Sequence, residues 1–331
     1  MDNNKNIKKI IMKLIRYIKN LILHDRNMRL MREEQKKRQM SIYTEMRQHH
    51  IVQRADLLKY QVMSCKEMGI TNERNCDEEL IVSLTTFGKR INEVYLAIES
   101  IMQGTMKPNR IILWLAEDEF KGKILPRTLQ LQQKRGLEIE YCEDIRSFKK
   151  IVPTMEKYPD ACVVTIDDDM MYEFDLLENL VNAHIANPSD VCTCRMHRIL
   201  LGENQNLKSY MYWDWCIWPK EKSNRNFLTS GGGTLFPSHC FVKEFFNKES
   251  FMSLCPYADD VWINAMIWMS DRQITKAYTH SKSGCDYREI CLEQDDALSN
   301  ENVFGSRNDG QLKAVMDKYD LYHYLQETET L

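Results

Sequence analysis

Apolar runs of strand length alternate with segments of helical periodicity over residues 80–184, and this alternation constrains the fold more than any other feature. The strand-like runs are LIVSLTT (80–86), RIILWLA (110–116), LEIEYCE (137–143) and ACVVTI (161–166). Apolar residues recur at helical spacing in INEVYLAIESIMQ (91–103) and LLENLVNAH (176–184). Strands that alternate with helices predict an α/β fold with a mostly parallel sheet and helices on both faces.

The first part of the chain has a different character, because it is strongly basic. Residues 1–38 carry twelve Lys and Arg against four Asp and Glu, although the whole chain has a net charge of −3. Residues 5–23 place apolar side chains at helical spacing between lysines, and no window is apolar enough to span a membrane. This pattern predicts a basic amphipathic helix. It either lies on an anionic membrane surface or docks its apolar stripe on protein.

Composition divides the chain into three predicted segments. Residues 25–68 contain neither Gly nor Pro and predict a helical stalk that is able to self-associate, and the polar stretch 71–79 marks its end. We therefore expect a basic helix over 1–24, a stalk over 25–75 and an α/β domain over 76–331. Eleven scattered cysteines without a CxxC pair, and the lack of a secretory signal, indicate a reducing cytoplasm. The one CxC pair, Cys192 and Cys194, is interpreted as buried apolar side chains.

Three consecutive carboxylates, Asp167, Asp168 and Asp169, follow the apolar run 161–166. Ligands of open α/β sheets bind at the carboxyl ends of parallel strands. Since side chains alternate along an extended segment, we expect Asp167 and Asp169 to converge and Asp168 to point elsewhere. Two converging carboxylates suit a hard divalent cation. The alternative is an exposed acidic turn that caps the helix after residue 174.

Three further clusters have both a functional and a structural interpretation. Gly231, Gly232 and Gly233 form either a turn or a backbone that a ligand approaches closely. The segment YMYWDWCIW (210–218), with Trp213 and Trp215, is either a platform for sugar rings or a core strand. The basic side chains of Arg146, Lys149 and Lys150 either meet phosphate or form a solvated helix face.

Five stretches together resemble one family over about residues 80–300. They are IVSLTTFGKR, IESIMQGTMKPNRIILWL, TIDDDM, TSGGGTLFP and PYADDVWINAM. The ordered set resembles the GT-A (Rossmann-like) fold of nucleotide-sugar-dependent glycosyltransferases, and is most similar to family-2-type bacterial polysaccharide enzymes.

The resemblance implies a donor site. Asp167 and Asp169 would hold Mn²⁺ or Mg²⁺ against the donor diphosphate, and Asp168 or Asp167 would also reach the donor sugar or ribose. The nucleotide would contact Thr85, Phe87 and Arg90. The family usually carries an Asp after the second strand for the base, whereas this chain has Leu-Ala-Glu-Asp at 115–118, so Glu117 would substitute.

The resemblance also implies an acceptor site. Asp259 and Asp260 begin a helical segment, where one Asp is explained as an N-cap and the second is not. Asp260, or else Asp259, would take the proton from the acceptor hydroxyl. The acceptor would lie against Gly231–Gly233, Trp213 and Trp215. His280 would either join the metal or be structural.

Together these features predict a metal-dependent, inverting glycosyltransferase. It would move a sugar to a cell-surface polysaccharide or lipid-linked glycan at the inner face of the cell membrane, with no nucleic-acid partner. The alternative is a nucleotidyltransferase or phosphotransferase that uses the same Asp–metal site. A third interpretation is a basic-helix scaffold with a decayed catalytic domain, and the intact aspartates at 167, 169, 259 and 260 argue against it.

Overall fold

The computed structural model describes residues 2–203, 206–219, 221–281, 287–290 and 307–326. Within residues 2–30 it describes side chains only at positions 12, 13, 19, 24 and 28, and the side chain at position 287 is also outside the description. In these ranges no helix combines the length and the apolar character that crossing a membrane requires.

A single helix, α1, spans Asp2–Ser64. It passes the predicted boundary between residues 24 and 25 without a break, because residues 2–64 contain neither Gly nor Pro. The chain separates into two compact units, Met1–Arg54 and Ala55–Leu331. From residue 31 to residue 50 every side chain is exposed. In the second unit, Leu58 and Val62 of α1 are buried.

The strands of the second unit form one large sheet and two small ones. Their bounds are β1 Leu80–Thr85, β2 Arg110–Ala116, β3 Leu137–Cys142, β4 Cys162–Thr165, β5 Met170–Tyr172, β6 Val191–Thr193, β7 Met196–Arg198, β8 Asn226–Leu228, β9 Thr234–Phe236, β10 Ile274–Lys276 and β11 Tyr287–Glu289. Among the described strands, the large sheet has the order β10-β6-β9-β4-β1-β2-β3. Only β9 runs antiparallel to its neighbours there. The mostly parallel α/β fold predicted from the sequence is confirmed.

Helices connect the strands. They are α2 Tyr95–Met102, α3 Glu117–Phe120, α4 Arg127–Gln133, α5 Val152–Lys157, α6 Leu176–Ala186, α7 Lys248–Leu254, α8 Asp259–Met269, α9 Arg307–Tyr319 and α10 Tyr322–Leu325. The helix predicted over 91–103 begins later than expected, because a 3-10 helix at Gly88–Asn92 precedes it.

Alternating side chains of the sheet pack into apolar cores on both faces of the sheet. Val82 and Val164 point to one face, where they pack in a cluster with residues of α2 and α6. Val163 and Phe236 point to the other face, where they pack with Trp262 and its neighbours on α5, α7, α8 and α9. Such double coverage is the reason that the strands are almost continuously apolar.

The parallel direction of β1, β2, β3 and β4 brings the segments that follow these strands to one edge of the sheet. Polar residues in those segments need no apolar cover, and backbone groups there are free to bind ligands. This edge carries the candidate site.

Candidate functional site

A cavity of about 700 Å³ opens at the carboxyl edge of the parallel strands. Among the described residues, eight carboxylates and five basic side chains line it. The carboxylates are Glu119, Asp144, Asp167, Asp168, Asp169, Asp259, Asp260 and Glu289, and the basic residues are Arg90, Arg146, Lys149, Lys150 and Arg195. The described wall is therefore net acidic, although cationic groups are interleaved with the carboxylates.

The three consecutive aspartates all line this cavity. Arg90 Nη1 lies 2.9 Å from Asp168 Oδ1 and 3.0 Å from Asp169 Oδ2. Thr86 Oγ1 donates to Asp168 Oδ2 at 2.6 Å. The prediction that Asp168 points elsewhere is thus wrong. Strand β4 ends at Thr165 and a turn begins at residue 168, so strand alternation no longer applies there.

Burial and crowding of like charges disturb this carboxylate group. Burial, with the neighbouring carboxylates of Asp167 and Asp168, raises the pKa of Asp169 to about 6. Burial also raises the pKa of Asp168, although Arg90 acts in the opposite direction. Asp169 Oδ1 is buried and has no hydrogen-bond partner among the described residues. A buried, unpartnered carboxylate oxygen beside two further carboxylates fits a hard divalent cation.

Lys150 connects the two acidic groups of the cavity. Its Nζ lies 2.7 Å from Asp167 Oδ1 and 3.0 Å from Asp259 Oδ2. Burial works against the charged ammonium, but the carboxylates of Asp167 and Asp259 raise the pKa of Lys150 well above its ordinary value. Lys149 and Lys150 are both buried, so the interpretation of this cluster as a solvated helix face is wrong.

Asp259 and Asp260 occupy the first turn of α8, and neither is the N-cap, which is Ala258. The capping explanation therefore fails for both residues. Ser230 donates to Asp260 Oδ1 from its backbone N–H at 2.8 Å and from its hydroxyl at 2.6 Å. The partial positive charge at the start of the helix further favours carboxylates in this turn.

The two aspartates of α8 differ in their electrostatic partners. Asp259 is ion-paired with Lys150. Burial and the Asp259 carboxylate raise the pKa of Asp260 to about 6, although Lys150 acts in the opposite direction. A carboxylate with a pKa near neutrality is better suited to accept a proton than one held by an ammonium. The geometry therefore favours Asp260 over Asp259 for proton transfer.

The glycine loop is shaped by the chain's own side chains. A Cβ at Gly231 would lie 1.7 Å from Asp167 Oδ2. The Tyr172 hydroxyl donates to the Gly231 carbonyl at 2.5 Å and accepts from the Asp167 N–H at 2.8 Å. A Cβ at Gly232 would lie 2.5 Å from Arg195 Cβ, and Gly233 has a positive φ of 95°. Of the three, only Gly231 lines the cavity. The group that approaches the Gly231 backbone closely is therefore the carboxylate of Asp167.

The two tryptophans named from the sequence have separate roles. Trp215 is 39% exposed and lines the cavity. Trp213 is only 4% exposed and packs against Tyr210 and Phe227, with ring centroids 4.7 and 5.1 Å away. Trp213 therefore belongs to the core, and its assignment to the acceptor site is wrong.

Thr85, Phe87 and Arg90, which were predicted to contact the nucleotide, all line the cavity. Thr85 donates its hydroxyl to the Trp114 carbonyl at 2.8 Å. Phe87 is exposed, and the Arg90 guanidinium lies 5.1 Å from its ring centroid. An exposed aromatic ring beside a guanidinium offers a stacking surface for a planar base.

Two further predicted site residues, Glu117 and His280, also lie outside the cavity. Glu117 forms an exposed ion pair with Lys121 at 3.0 Å. Glu117 is the first residue of α3. Glu119, two positions later in the same helix, lines the cavity and accepts a hydrogen bond from the Gly88 N–H at 2.7 Å. His280 Nε2 lies 2.7 Å from Asp175 Oδ2 on the surface, so the structure does not bring it to the aspartates.

Several residues that shape the cavity carried no sequence signal strong enough to single them out. They are Thr86, Glu119, Tyr172, Ser230 and, as a bridging ammonium, Lys150. Four of them contact a predicted site residue, whereas Glu119 contacts the backbone of Gly88, which lies between the predicted Phe87 and Arg90. Only the position of Thr86, directly after β1, marked it as a neighbour of the site.

Comparisons with known proteins find similarity among solved structures only. No protein-family model matches the sequence. No curated protein matches it either. One similar solved structure is a CMP:2-keto-3-deoxy-manno-octonic acid synthetase complexed with CTP, at 13% identity and a TM-score of 0.37. The match covers 68% of this chain and 99% of that one. This likeness is too low to bear on function, and the fold class stands on the sheet and helices described above.

Proposed function

We propose that this chain is a metal-dependent glycosyltransferase that takes its sugar from a nucleotide-activated donor. The observation that carries this proposal is the meeting of Asp167–Asp169 with Asp259 and Asp260 in one cavity at the carboxyl edge of the sheet. One group has the character of a cation site and the other has the character of a proton acceptor.

The charge of the cavity supports the metal requirement. A nucleotide diphosphate is anionic, and the described cavity wall carries more carboxylates than basic groups. Asp167 and Asp169 would hold Mg²⁺ or Mn²⁺, which when bound neutralises the diphosphate as it leaves. Arg90 keeps the Asp168 and Asp169 carboxylates together, and the ring of Phe87 receives the base of the nucleotide.

Asp260 acts as the general base in the proposed reaction. Its carboxylate accepts the proton of the acceptor hydroxyl while the oxygen of that hydroxyl bonds to the sugar carbon and the bond from that carbon to phosphate breaks. Attack from the side opposite the phosphate inverts the configuration of the sugar carbon. The Ser230 donors orient the Asp260 carboxylate, and Lys150 forms an ion pair with the neighbouring Asp259.

The acceptor proposed for this reaction is a glycan or a lipid-linked glycan. Trp215 and Tyr210 present aromatic surface to the cavity, which suits the C–H faces of sugar rings. The basic segment 5–23 supports a position on an anionic membrane at the cytoplasmic face, where a lipid-linked acceptor is reached in two dimensions. The stalk at 25–68 would then serve as spacer and as a surface for self-association.

A donor screen tests the proposal. UDP-, GDP-, CMP- and dTDP-sugars are compared in thermal unfolding, with and without Mn²⁺. A donor at a hundred times its dissociation constant is expected to add about 2.7 kcal/mol to the free energy of unfolding. The selected donor is then incubated with glycan acceptors, and the released nucleotide is measured. Release of pyrophosphate from a nucleoside triphosphate and a sugar would instead establish a nucleotidyltransferase.

Membrane binding is tested separately by co-sedimentation with anionic and neutral liposomes. Full-length protein is compared with a form that lacks residues 2–24. This truncation leaves Leu58 and Val62 of α1 in their buried positions. Binding to anionic vesicles that falls with added salt and with the truncation supports the proposal. Equal binding of both forms would assign the segment to protein contacts.

A further inference from the structure

A cluster of metal-binding side chains lies at the amino end of β4, away from the aspartates that follow its carboxyl end. Cys76 and Glu78 belong to the segment that leads into β1. Cys162 is the first residue of β4 and pairs with Leu80 across the sheet. His184 comes from α6. Strand pairing and the packing of α6 thus bring together residues that are far apart in the sequence.

The ligand atoms of this cluster are close to one another. Cys76 Sγ, a Glu78 carboxylate oxygen and Cys162 Sγ all lie within 4.8 Å of each other. His184 Nε2 lies 3.6 Å from Cys162 Sγ and 3.8 Å from Glu78 Oε2. His184 Nε2 therefore borders the three-residue group on the side of Cys162 and Glu78.

These separations suit a tetrahedral zinc ion. Zinc bonds of about 2.3 Å to sulfur and about 2.1 Å to nitrogen and oxygen place ligand atoms about 3.6 Å apart for S and N, and about 3.4 Å apart for N and O. The two measured distances that involve His184 lie within half an ångström of those values. Thiolate and imidazole ligands also select zinc over Mg²⁺ and Ca²⁺, which prefer oxygen.

Burial indicates a structural site. Cys162 is fully buried and His184 is 4% exposed, whereas Cys76 and Glu78 are partly exposed and leave a path for entry. Four protein ligands complete a tetrahedron and leave no position for a substrate. None of the four residues lines the described catalytic cavity.

We propose that Cys76, Glu78, Cys162 and His184 bind one zinc ion that ties the segment before β1 to β4 and α6. Unlike the aspartate site, this site holds its ion independently of donor and acceptor. It fastens the point at which the chain enters an interior strand of the sheet, because β1 pairs with both β2 and β4.

Metal analysis of the full-length protein tests the proposal. The protein is purified under reducing conditions without chelator, and its metal content is measured by mass spectrometry. We expect about one zinc per chain. Cobalt substitution is expected to produce the visible absorption and thiolate charge-transfer bands of a tetrahedral sulfur-containing site. A chelator that removes the zinc is expected to lower the unfolding temperature.

Matched variants locate the ion. Cys76→Ser and Glu78→Ala are expected to weaken zinc binding by about 100-fold or more, since changes that only support a ligand already cost up to that much. Cys65→Ser is the control, because Cys65 is also a partly exposed cysteine and lies outside the cluster. Asp169→Asn is expected to keep its zinc, which separates this site from the oxygen site of the cavity.

Three results would overturn the proposal. The first is reduced protein that takes up no zinc when Zn²⁺ is supplied. The second is zinc that remains in Cys76→Ser and Glu78→Ala and is lost in Asp169→Asn. The third is a Cys76–Cys162 disulfide, seen as protection from alkylation, in protein that binds zinc neither before nor after reduction.

Discussion

The two ends of β4 carry opposite kinds of chemistry. Past its carboxyl end, Asp167, Asp168 and Asp169 present only oxygen atoms to an open cavity. At its amino end, Cys162 meets a second thiol, an imidazole and a carboxylate in a small, partly buried cluster. Oxygen ligands prefer Mg²⁺ or Mn²⁺, and sulfur and nitrogen ligands prefer zinc.

The difference also separates function from stability. The carboxyl-end group is a site of unfavourable electrostatics, since burial and like charges raise the pKa of Asp169 and Asp260. Shifted pKa values of this kind cluster at functional sites, where a bound ligand offsets the unfavourable electrostatics. The amino-end cluster would instead strengthen the fold when zinc binds.

Loss of an oxygen ligand is expected to have the largest effect. Asp169→Asn and Asp167→Asn should each lower kcat/KM by about 10³-fold, because the ion stabilises the leaving group by several kcal/mol. Metal-dependent donor binding should disappear, and zinc content and unfolding temperature should not fall. If both variants bind Mn²⁺ and nucleotide as tightly as the wild type does, the proposal that Asp167 and Asp169 hold a metal ion is wrong.

Removal of the base comes next. Asp260→Asn should lower kcat by about 10²-fold or more, while donor affinity stays nearly unchanged, since a general base acts only in the transition state. Asp259→Asn is the matched comparison. A larger loss in Asp259→Asn, with normal activity in Asp260→Asn, would move the role by one residue.

Gly231→Ala probes the fit of Asp167. The new Cβ would overlap the Asp167 carboxylate, so that carboxylate must move. A displacement of about 1 Å in a reacting group costs about 10²-fold in rate. Gly310→Ala is the control, because Gly310 lies in α9 with open space around it and should gain about 0.5–1 kcal/mol of stability. Normal activity in Gly231→Ala would show that the loop adapts.

The pH profile gives a smaller and more specific effect. Because Asp260 has a raised pKa of about 6, kcat should fall as the pH drops through 6, by about tenfold per unit, since the protonated carboxyl no longer accepts a proton. The measurement is kcat at saturating metal and donor. Residual activity of Asp260→Asn should lack this acidic limb. An identical limb in the variant would assign the titration to another group.

Stability should respond least, and with the opposite sign to activity. The pKa of Asp260 is raised from 3.8 to about 6, so between these values the folded state holds a proton that the unfolded chain has lost. The contribution of Asp260 to wild-type stability therefore falls as pH rises from about 4 to 6. Asp260→Asn should be more stable than the wild type at pH 7, by on the order of 1 kcal/mol, and this gain should vanish near pH 4. Urea unfolding at several pH values measures the difference.

Sequence alone determined the class of fold and the neighbourhood of the site. The apolar runs that became β1, β2, β3 and β4 and the helical spacing of α6 are local patterns. Parallel strands must then end at one edge. The position of Asp167–Asp169 at the carboxyl edge of the sheet could therefore be predicted from the sequence alone.

Tertiary structure decided the partners of those residues. The alternation of side chains along a strand wrongly predicted that Asp168 points away from Asp167 and Asp169, because the sequence does not show that β4 ends at Thr165. Glu119 lines the cavity in place of Glu117, because α3 begins at Glu117. His280 pairs with Asp175 on the surface and so does not reach Asp167–Asp169. Lys150 bridges carboxylates 17 and 109 positions along the chain. The cluster of Cys76 and Cys162 likewise formed through strand pairing, because contacts between distant residues follow from the fold and leave no local pattern.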